Sequence, residues 1–479
     1  MAGILVFFIP FLAAFLAYSI PSNRYRPYVM PAAAFGHLMA AITLMQSPAR
    51  LSAEERWLEL DPAGQTILIS ISVLFFCCAL YAPAYLYHRL ERPNRIFCSC
   101  MLLLLSLMSL VPFIQHVGLI WVVMEATTLC SGPLIFFNRT SRSIEAAWKY
   151  LMICSVGIAL ALLGSFFLAY STFQIENSNQ LLFPKLAQSA SLLSKPWLRA
   201  AFVTLLVGYG TKMGIAPLHV WKPDAYGETS GIVGALLAGG LTSCAFLVLL
   251  RIIRIMYAAG EAVWTNHILI VMGLLSMTFA AVFMSRQKDY KRILAYSSVE
   301  HMGILLLGVG IGSLGLWGSL FHVWNNALGK AVLFLSSGNI HRAFGSKSTD
   351  SVRGALHRIP VSASLFLLGF IAITGSPPFG PFVSEFAILQ AAFFAKQYKT
   401  GALYLALMLA VFLGMGTTVL SVIFGEASKP VKDNQYKDST LTVGPIILLL
   451  LLMLIAGVCL PSSLGAILTN AVAFMEVAR

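Results

Sequence analysis

The chain has 479 residues, 58% of them hydrophobic and only 11% charged, with a mean hydropathy of +0.82 and a formal net charge of +13. These values exclude a soluble multidomain protein: a spanning helix needs roughly 20 apolar residues, and the length accommodates on the order of 14 to 16 of them with short connections. The positive charge, which in a soluble protein would suggest nucleic acid, reads here as Lys and Arg in cytoplasmic loops.

Apolar runs bounded by charge, Pro or Gly predict fourteen helices, at 2–20, 29–46, 65–87, 96–115, 117–137, 146–170, 198–219, 231–257, 265–284, 292–312, 314–339, 361–396, 400–424 and 441–461. No Lys or Arg precedes Arg24, so the first run lacks the basic start of a secretory signal and reads as a retained helix. The fourth and fifth runs touch near His116. Helix 7 is disrupted by Gly214-Ile215-Ala216-Pro217 and Trp221-Lys222-Pro223, and the over-long helix 12 by Ser376-Pro377-Pro378-Phe379-Gly380-Pro381. The cysteines fall in or beside apolar segments. Cys98 and Cys100, on nearly opposite faces of one helix, form no metal-ligand set.

Loops after odd-numbered helices carry 20 Lys and Arg, and those after even-numbered helices, with the C-terminus, carry 10. The positive-inside rule then places the odd loops in the cytoplasm and both termini outside. The two remaining cations, Lys212 and Lys330, lie inside helices, as do Glu125, Glu300 and Glu385. An ionisable group in hydrocarbon costs at least about 2.5–3.5 kcal/mol on insertion scales, so these positions call for a functional reason.

Their spacing is regular. Glu125 on helix 5 precedes Lys212 on helix 7 by 87 residues, and Glu300 on helix 10 precedes Glu385 on helix 12 by 85. A shift of five helices maps one pair onto the other and the break in helix 7 onto that in helix 12. Five is odd, so the units lie inverted in the membrane, the plan of many ion transporters. The expected fold is thus an all-α polytopic membrane protein with two inverted five-helix repeats. Its divisions are N-terminal helices 1–3 (1–95), a first repeat of helices 4–8 (96–257), a second of helices 9–13 (265–424), and helix 14 with a tail (441–479).

A carboxylate and an ammonium in a low-dielectric interior favour each other's charged form, so separating them tends to expel the Lys proton. Glu125 is therefore expected to modulate Lys212, unless the two form a permanent ion pair fixing helices 5 and 7. His322, Asn326 and Lys330 share one face of helix 11, two turns long, suited to carrying protons through side chains and water. His322 could alternatively be an interhelical hydrogen bonder. His219, near the end of helix 7, reads equally as part of the break or of the relay. Glu300, beside His301 and after Tyr296, Ser297 and Ser298, marks an aqueous entrance from the cytoplasm or a solvated helix end paired with a loop cation. Glu145 and Lys149 form an interfacial i,i+4 pair.

There is no Walker loop, no GxGxxG opening a helix and no HExxH, and the nine histidines show no haem array, so the chain is expected to hold no cofactor or metal of its own. Four segments resemble the antiporter-like subunit family of respiratory complex I, Mrp cation antiporters and membrane-bound hydrogenases. They are Trp121 to Leu129 around Glu125, Thr211 to Ala225 around Lys212, His219 and Pro223-Asp224, Lys291 to Ser298, and Phe382 to Phe386 around Glu385. Glu125-Ala126-Thr127-Thr128-Leu129, Ile144 to Tyr150 and Ser297 to Gly303 most resemble component F of the hydrogenase 4 and formate hydrogenlyase group. The chain departs from the family pattern at Ala238, where many relatives have Lys or His on helix 8, so that a relay would need water there. It also departs at Asn326, where a second His is common; at Lys222, where an apolar residue is usual; at Tyr226, where the family has His; and at Ile232, where it has Pro.

The resemblance implies a non-catalytic, proton-translocating membrane subunit of a hydrogenase or related oxidoreductase complex. Its partners would be other membrane subunits and peripheral nickel-iron or related redox subunits, in a bacterial or archaeal inner membrane. The relay residues would be Glu125, Lys212, His219, Glu300, His322, Lys330 and Glu385. The rival readings are an Mrp-type Na+/H+ antiporter subunit, the membrane subunit of an inorganic carbon uptake complex, and a scaffold that only anchors redox subunits. Three buried acids and two buried Lys argue against the scaffold.

Overall fold

The computed structural model describes residues 2–46, 57–173, 181–426 and 436–476, and among these no β-strand extends beyond isolated bridges. The N-terminal third forms α1 (Ala2–Ser19), α2 (Val29–Gln46), α3 (Pro62–Tyr87), α4 (Arg95–Leu110), α5 (Val117–Ile135) and α6 (Ser141–Ser171). After the short α7 (Phe183–Gln188), the seventh span is α8 (Lys195–Met213) and α9 (Trp221–Glu228). The eighth is α10 (Gly231–Leu236), a π-turn over Leu237–Leu241, and α11 (Thr242–Ala258). There follow α12 (Ala262–Met284), α13 (Tyr290–Ile311), α14 (Leu314–Phe344) and a turn, α15 (Ala355–Arg358). The twelfth span is α16 (Pro360–Ile373) and α17 (Gly380–Phe394), and α18 (Tyr398–Phe424), α19 (Thr440–Val458) and α20 (Ser462–Glu476) complete the chain.

All fourteen predicted spans are helical, and helices 7 and 12 are broken where Pro and Gly interrupt them. Among the described residues, ten helices are long and apolar enough by themselves to cross a membrane, with the shorter Gly3–Ser19, Pro360–Ile373 and Gly380–Phe394 beside them. The protein is a multi-pass integral membrane protein. Large apolar side chains remain exposed on α1, α6 and α18, among them Leu12, Phe15, Val156, Phe166 and Leu409, as expected of faces turned to lipid. By contrast, the eighth span is buried all round and α13 almost so, which makes them the centre of the bundle.

Helix starts follow local chemistry. The junction near His116 is two helices, because Pro112 falls in a 3-10 turn after α4 and the His116 Nδ1 caps α5, accepting from Gly118 N at 3.1 Å and Leu119 N at 3.3 Å. The sixth span starts five residues earlier than expected because Thr140 and Ser143 form a reciprocal cap. Asp61 caps α3 through Gly64 N at 2.6 Å and also pairs with Arg251 at 2.8 Å. Small residues allow the closest crossings. A Cβ on Gly208 of α8 would stand 2.6 Å from Ala161 of α6, and one on Gly273 of α12 would stand 2.7 Å from the Gly303 carbonyl of α13.

Two further features differ from the expectation. α20 is an additional amphipathic helix that buries Leu464, Ile467, Leu468, Ala471 and Met475. It lines a groove with Gln46, Pro62, Gln65 and Arg254, at the end of the bundle where α2 and α11 finish and α3 begins, and Arg254 Nε donates to its Phe474 carbonyl at 3.0 Å. Lys222, credited in the charge count to the loop after helix 7, is fully buried. The predicted tail beyond 476 lies outside the described residues.

Candidate functional site

In the first half of the bundle α8 brings Lys212 to its last turn, two residues before Gly214 adopts a φ of +74° and ends the helix. The fully buried Lys212 Nζ donates to the Thr128 hydroxyl of α5 at 2.6 Å and to the Tyr150 hydroxyl of α6 at 3.0 Å, and Tyr150 in turn shares a 2.6 Å hydrogen bond with Ser131. Glu125, one turn before Thr128, is half-buried. One of its oxygens accepts from Ser155 at 2.8 Å, and the other is buried with no partner among the described residues. The permanent ion pair considered from sequence is therefore not formed. Lys212 is held by hydroxyls, with Glu125 in electrostatic range rather than in contact.

At the centre, the side chains of α13 and α14 meet. Lys330 Nζ donates to the Ser297 hydroxyl at 2.5 Å, and on the adjacent Ser298 the hydroxyl accepts from Lys222 Nζ at 3.1 Å. Glu300, one turn along α13, is buried, with the His301 imidazole 4.0 Å from its carboxylate; among the described residues the pairing with a loop Lys or Arg considered from sequence is absent. Glu300, Lys330 and Glu385 lie within one another's electrostatic range. Asn326 turns to the eighth span, its Nδ2 donating at 3.4 Å to the Ala238 carbonyl in the π-turn.

Beyond the centre, His301 Nδ1 and His322 Nε2 share a 2.8 Å hydrogen bond, and His322 Nδ1 pairs with the Ser384 hydroxyl at 3.0 Å, beside Glu385 on α17. Asn325 donates to the same hydroxyl at 3.2 Å. One Glu385 oxygen is buried without a partner. His301, His322 and Glu385 offer donor atoms within 4.8 Å of one another, and one nitrogen of each imidazole is engaged with the other ring.

The structure thus brings six of the seven sequence-derived residues into a run of polar side chains through the bundle, Glu125 and Lys212 in its first half and Lys330, Glu300, His322 and Glu385 in its second. His219 stands apart. The break leaves it between helices, in a cage of Phe279, Phe283 and Tyr296 with ring centroids 5.7, 6.4 and 6.2 Å away, and its Nδ1 has no partner among the described residues. Glu145 and Lys149 pair at 2.7 Å as expected, and Lys149 also reaches Asp224 at 2.9 Å, which is held from its other side by Arg292 at 2.9 Å. These residues line a charged cavity of about 500 Å³ over α9, on the face that carries the basic loops.

Sequence reasoning counted Lys222 among the loop cations, and treated His301, Ser297 and Ser298 only as surroundings of Glu300. The signal was a Lys between Trp221 and Pro223, within a broken span.

Residues 114–414 match the family model described as NADH:quinone oxidoreductase/Mrp antiporter, transmembrane. The chain is 30% identical to the hydrogenase-4 component F homolog of Methylacidiphilum infernorum (isolate V4), over 96% of this chain and 97% of that protein. Among solved structures, a chain of the membrane-bound sulfane sulfur reductase, an archaeal respiratory membrane complex, superposes with a TM-score of 0.88 at 20% identity, covering 99% of this chain and 97% of that one. A chain of respiratory complex I from Thermus thermophilus superposes with a TM-score of 0.84 at 21% identity over the whole of both. At these identities the structural likenesses show the fold.

Proposed function

Because the chain belongs to the NADH:quinone oxidoreductase/Mrp antiporter transmembrane family, we propose that it translocates protons as a membrane subunit of a membrane-bound hydrogenase or related oxidoreductase complex, using redox energy released in partner subunits. The observation that carries this reading is the polar axis through the centre of an apolar bundle, with lysines held by hydroxyls and carboxylates left partly unpartnered. A static buried ion pair looks different. Arg251 and Asp61 satisfy each other, and Arg251 also satisfies three carbonyls. Groups that must gain and lose protons are better served by partners that accept either state, such as hydroxyls and imidazoles.

In this reading Lys212 and Lys330 hold protons in the two halves, Glu125 and Glu300 bias them, and the His301–His322–Ser384 chain leads to Glu385. The halves correspond to the five-helix units 96–257 and 265–424. Each central break opens on a glycine with positive φ, Gly214 at +74° and Gly375 at +70°, followed three residues later by a proline, which supports the inverted correspondence. The basic loops face the cytoplasm of a bacterial or archaeal cell and the termini face outward. Nickel-iron or related redox subunits dock on the cytoplasmic side.

The test uses the complex purified through a tag on this chain and reconstituted in liposomes with a pH-sensitive dye. Reduced methyl viologen drives H2 evolution. The parent should move protons in step with turnover, whereas Lys212→Met in an assembled complex should lose proton movement by about 10²-fold or more while retaining H2 evolution. Proton movement by Lys212→Met equal to the parent would overturn the relay. Sodium movement in exchange for protons, without redox turnover, would favour an antiporter instead.

A further inference from the structure

We infer that Lys222, on the short helix after the break in the seventh span, is a proton carrier that joins the two halves of the path; the inference rests on the proton-translocation reading above. Lys222 is fully buried, and among the described residues no carboxylate stands in ion-pair contact with it. Its Nζ donates to the Ser298 hydroxyl at 3.1 Å and lies 5.8 Å from the centre of the Tyr226 ring. Placing a lone ammonium there merely to stabilise the fold would be costly, since neither contact neutralises it.

Its place on the axis follows from both of its ends. The stem lies across Gly214, two residues from Lys212. A Cβ at Gly214 would collide with the Lys222 stem and stand 2.9 Å from its Nζ, so a glycine is required there both for the φ of +74° and for room. The buried Cys154 of α6 feels the charge of Lys212, Glu125 and Lys222 together. On the other side, Ser298 adjoins Ser297, which holds Lys330, and the ammonium groups of Lys222 and Lys330 lie within each other's field. Lys222 therefore faces the first half across Gly214 and the second through Ser298.

A second, independent observation comes from the other break. Against Gly375, the positive-φ glycine that opens the break in the twelfth span, rests the carboxylate of Glu385 from the helix after that break. The two breaks thus place a titratable side chain in the same way: Lys222 across Gly214 and Glu385 across Gly375. The sequence spacing paired Glu385 with Lys212, but Lys212 precedes its break and Glu385 follows its own. By position, the counterpart of Glu385 is Lys222. The eighth span offers Ala238 in the π-turn between the halves, so a titratable group from α9 supplies what that span does not.

The step is a proton exchange without other bond changes. Lys212 ammonium gives a proton to the neutral Lys222 amine, and Lys222 ammonium then gives one to the neutral Lys330 amine, each transfer leaving the total charge unchanged. The repulsion between neighbouring ammonium groups makes it unfavourable for both to be charged at once, which drives the proton onward.

The experiment uses the same reconstituted complex, with the parent and Lys212→Met as references for the underlying reading. Lys222→Met removes the titrating group, Lys222→Arg keeps a permanent cation, and Lys222→His keeps a group that can load and release. Proton movement per H2 should fall at least about tenfold in Lys222→Met and Lys222→Arg and recover in part in Lys222→His. A purely structural cation predicts the reverse order, with Lys222→Arg restored. Ser298→Ala, which leaves every Lys in place and removes one hydroxyl, should lower proton movement severalfold and serves where the Lys222 variants fail to assemble. Parent-like pumping in Lys222→Met or in Ser298→Ala, or full recovery in Lys222→Arg with none in Lys222→His, would overturn the inference while leaving the Lys212 result to stand by itself.

Discussion

Arg251→Met isolates the difference between a buried charge that holds the fold and one that moves protons. Arg251 on α11 is 2% exposed, its Nε meets Asp61 at 2.8 Å, and its remaining nitrogens donate to the carbonyls of Val111, Pro112 and Ile114 at 3.2, 2.5 and 2.7 Å. It thereby ties α11 to the cap of α3 and to the turn between α4 and α5. The substitution leaves the buried Asp61 carboxylate without its cation and takes the guanidinium from three carbonyls, an uncompensated charge that costs about 3–5 kcal/mol, or roughly 10² to several 10³ in a folding equilibrium. Asp61→Asn keeps an acceptor for Gly64 N but turns an amide N–H toward Arg251 Nε and Gln115 Nε2, losing their acceptor along with the charge, for about 1–3 kcal/mol. Because the two residues share one contact, the double variant should be less destabilised than the sum of the single ones by on the order of 1 kcal/mol. The assay is heat challenge of the detergent-solubilised, fluorescently tagged chain, with the surviving monodisperse fraction read by gel filtration. Arg251→Met should melt well below the parent, yet the complexes that do assemble should pump normally. Parent-like melting of Arg251→Met, or strict additivity in the double variant, would refute the reasoning.

Three further outcomes follow from particular contacts. His322→Ala breaks the link between His301 and Ser384, and should lower proton movement per H2 by about 10²-fold while His322→Gln recovers little, because a hydrogen bonder that cannot titrate does not replace an imidazole. The His116 imidazole, outside the spans, is held below its ordinary value by desolvation, and its neutral Nδ1 caps α5. A base with a depressed folded pKa contributes stability that is present above the unfolded value near 6.5 and is lost as pH falls through the folded one. Melting of the parent should therefore decline with acidification through that window, and His116→Asn, which caps without titrating there, should flatten that decline; an unchanged profile would contradict the cap assignment. Finally, an alkaline phosphatase fused after Arg479 should be active and one fused in the 345–359 connection inactive; the opposite pattern would invert the orientation.

Much of the fold was legible because membrane helices announce themselves by length and apolarity, and because Pro and Gly mark where helices 7 and 12 must break. The π-turn at Leu237–Leu241 was not legible, since a uniformly apolar segment gives no local sign of one extra residue per turn. α20 was passed over because fifteen residues are too few to span, although burial of Leu464, Ile467, Leu468 and Ala471 on one face follows the amphipathic spacing. Within the site, spacing in sequence found the charged residues but not their partners. It placed Glu125 beside Lys212, where the side chains of Thr128 and Tyr150 stand instead. It counted Lys222 with the loop cations, because burial at a helix break depends on the helices that pack around it.

The central claim is that protons traverse the bundle to Glu385, and Glu385→Gln tests it most directly. Gln keeps the size of Glu, beside Gly375 and Ser384, but cannot exchange a proton, whereas Glu385→Asp keeps a carboxylate at that depth. Dye-reported proton movement in proteoliposomes is divided by H2 evolved from reduced methyl viologen in the same sample. The account predicts that this ratio collapses in Glu385→Gln and is partly retained in Glu385→Asp, with H2 evolution continuing in both; a parent-like ratio in Glu385→Gln would show that protons leave by another route.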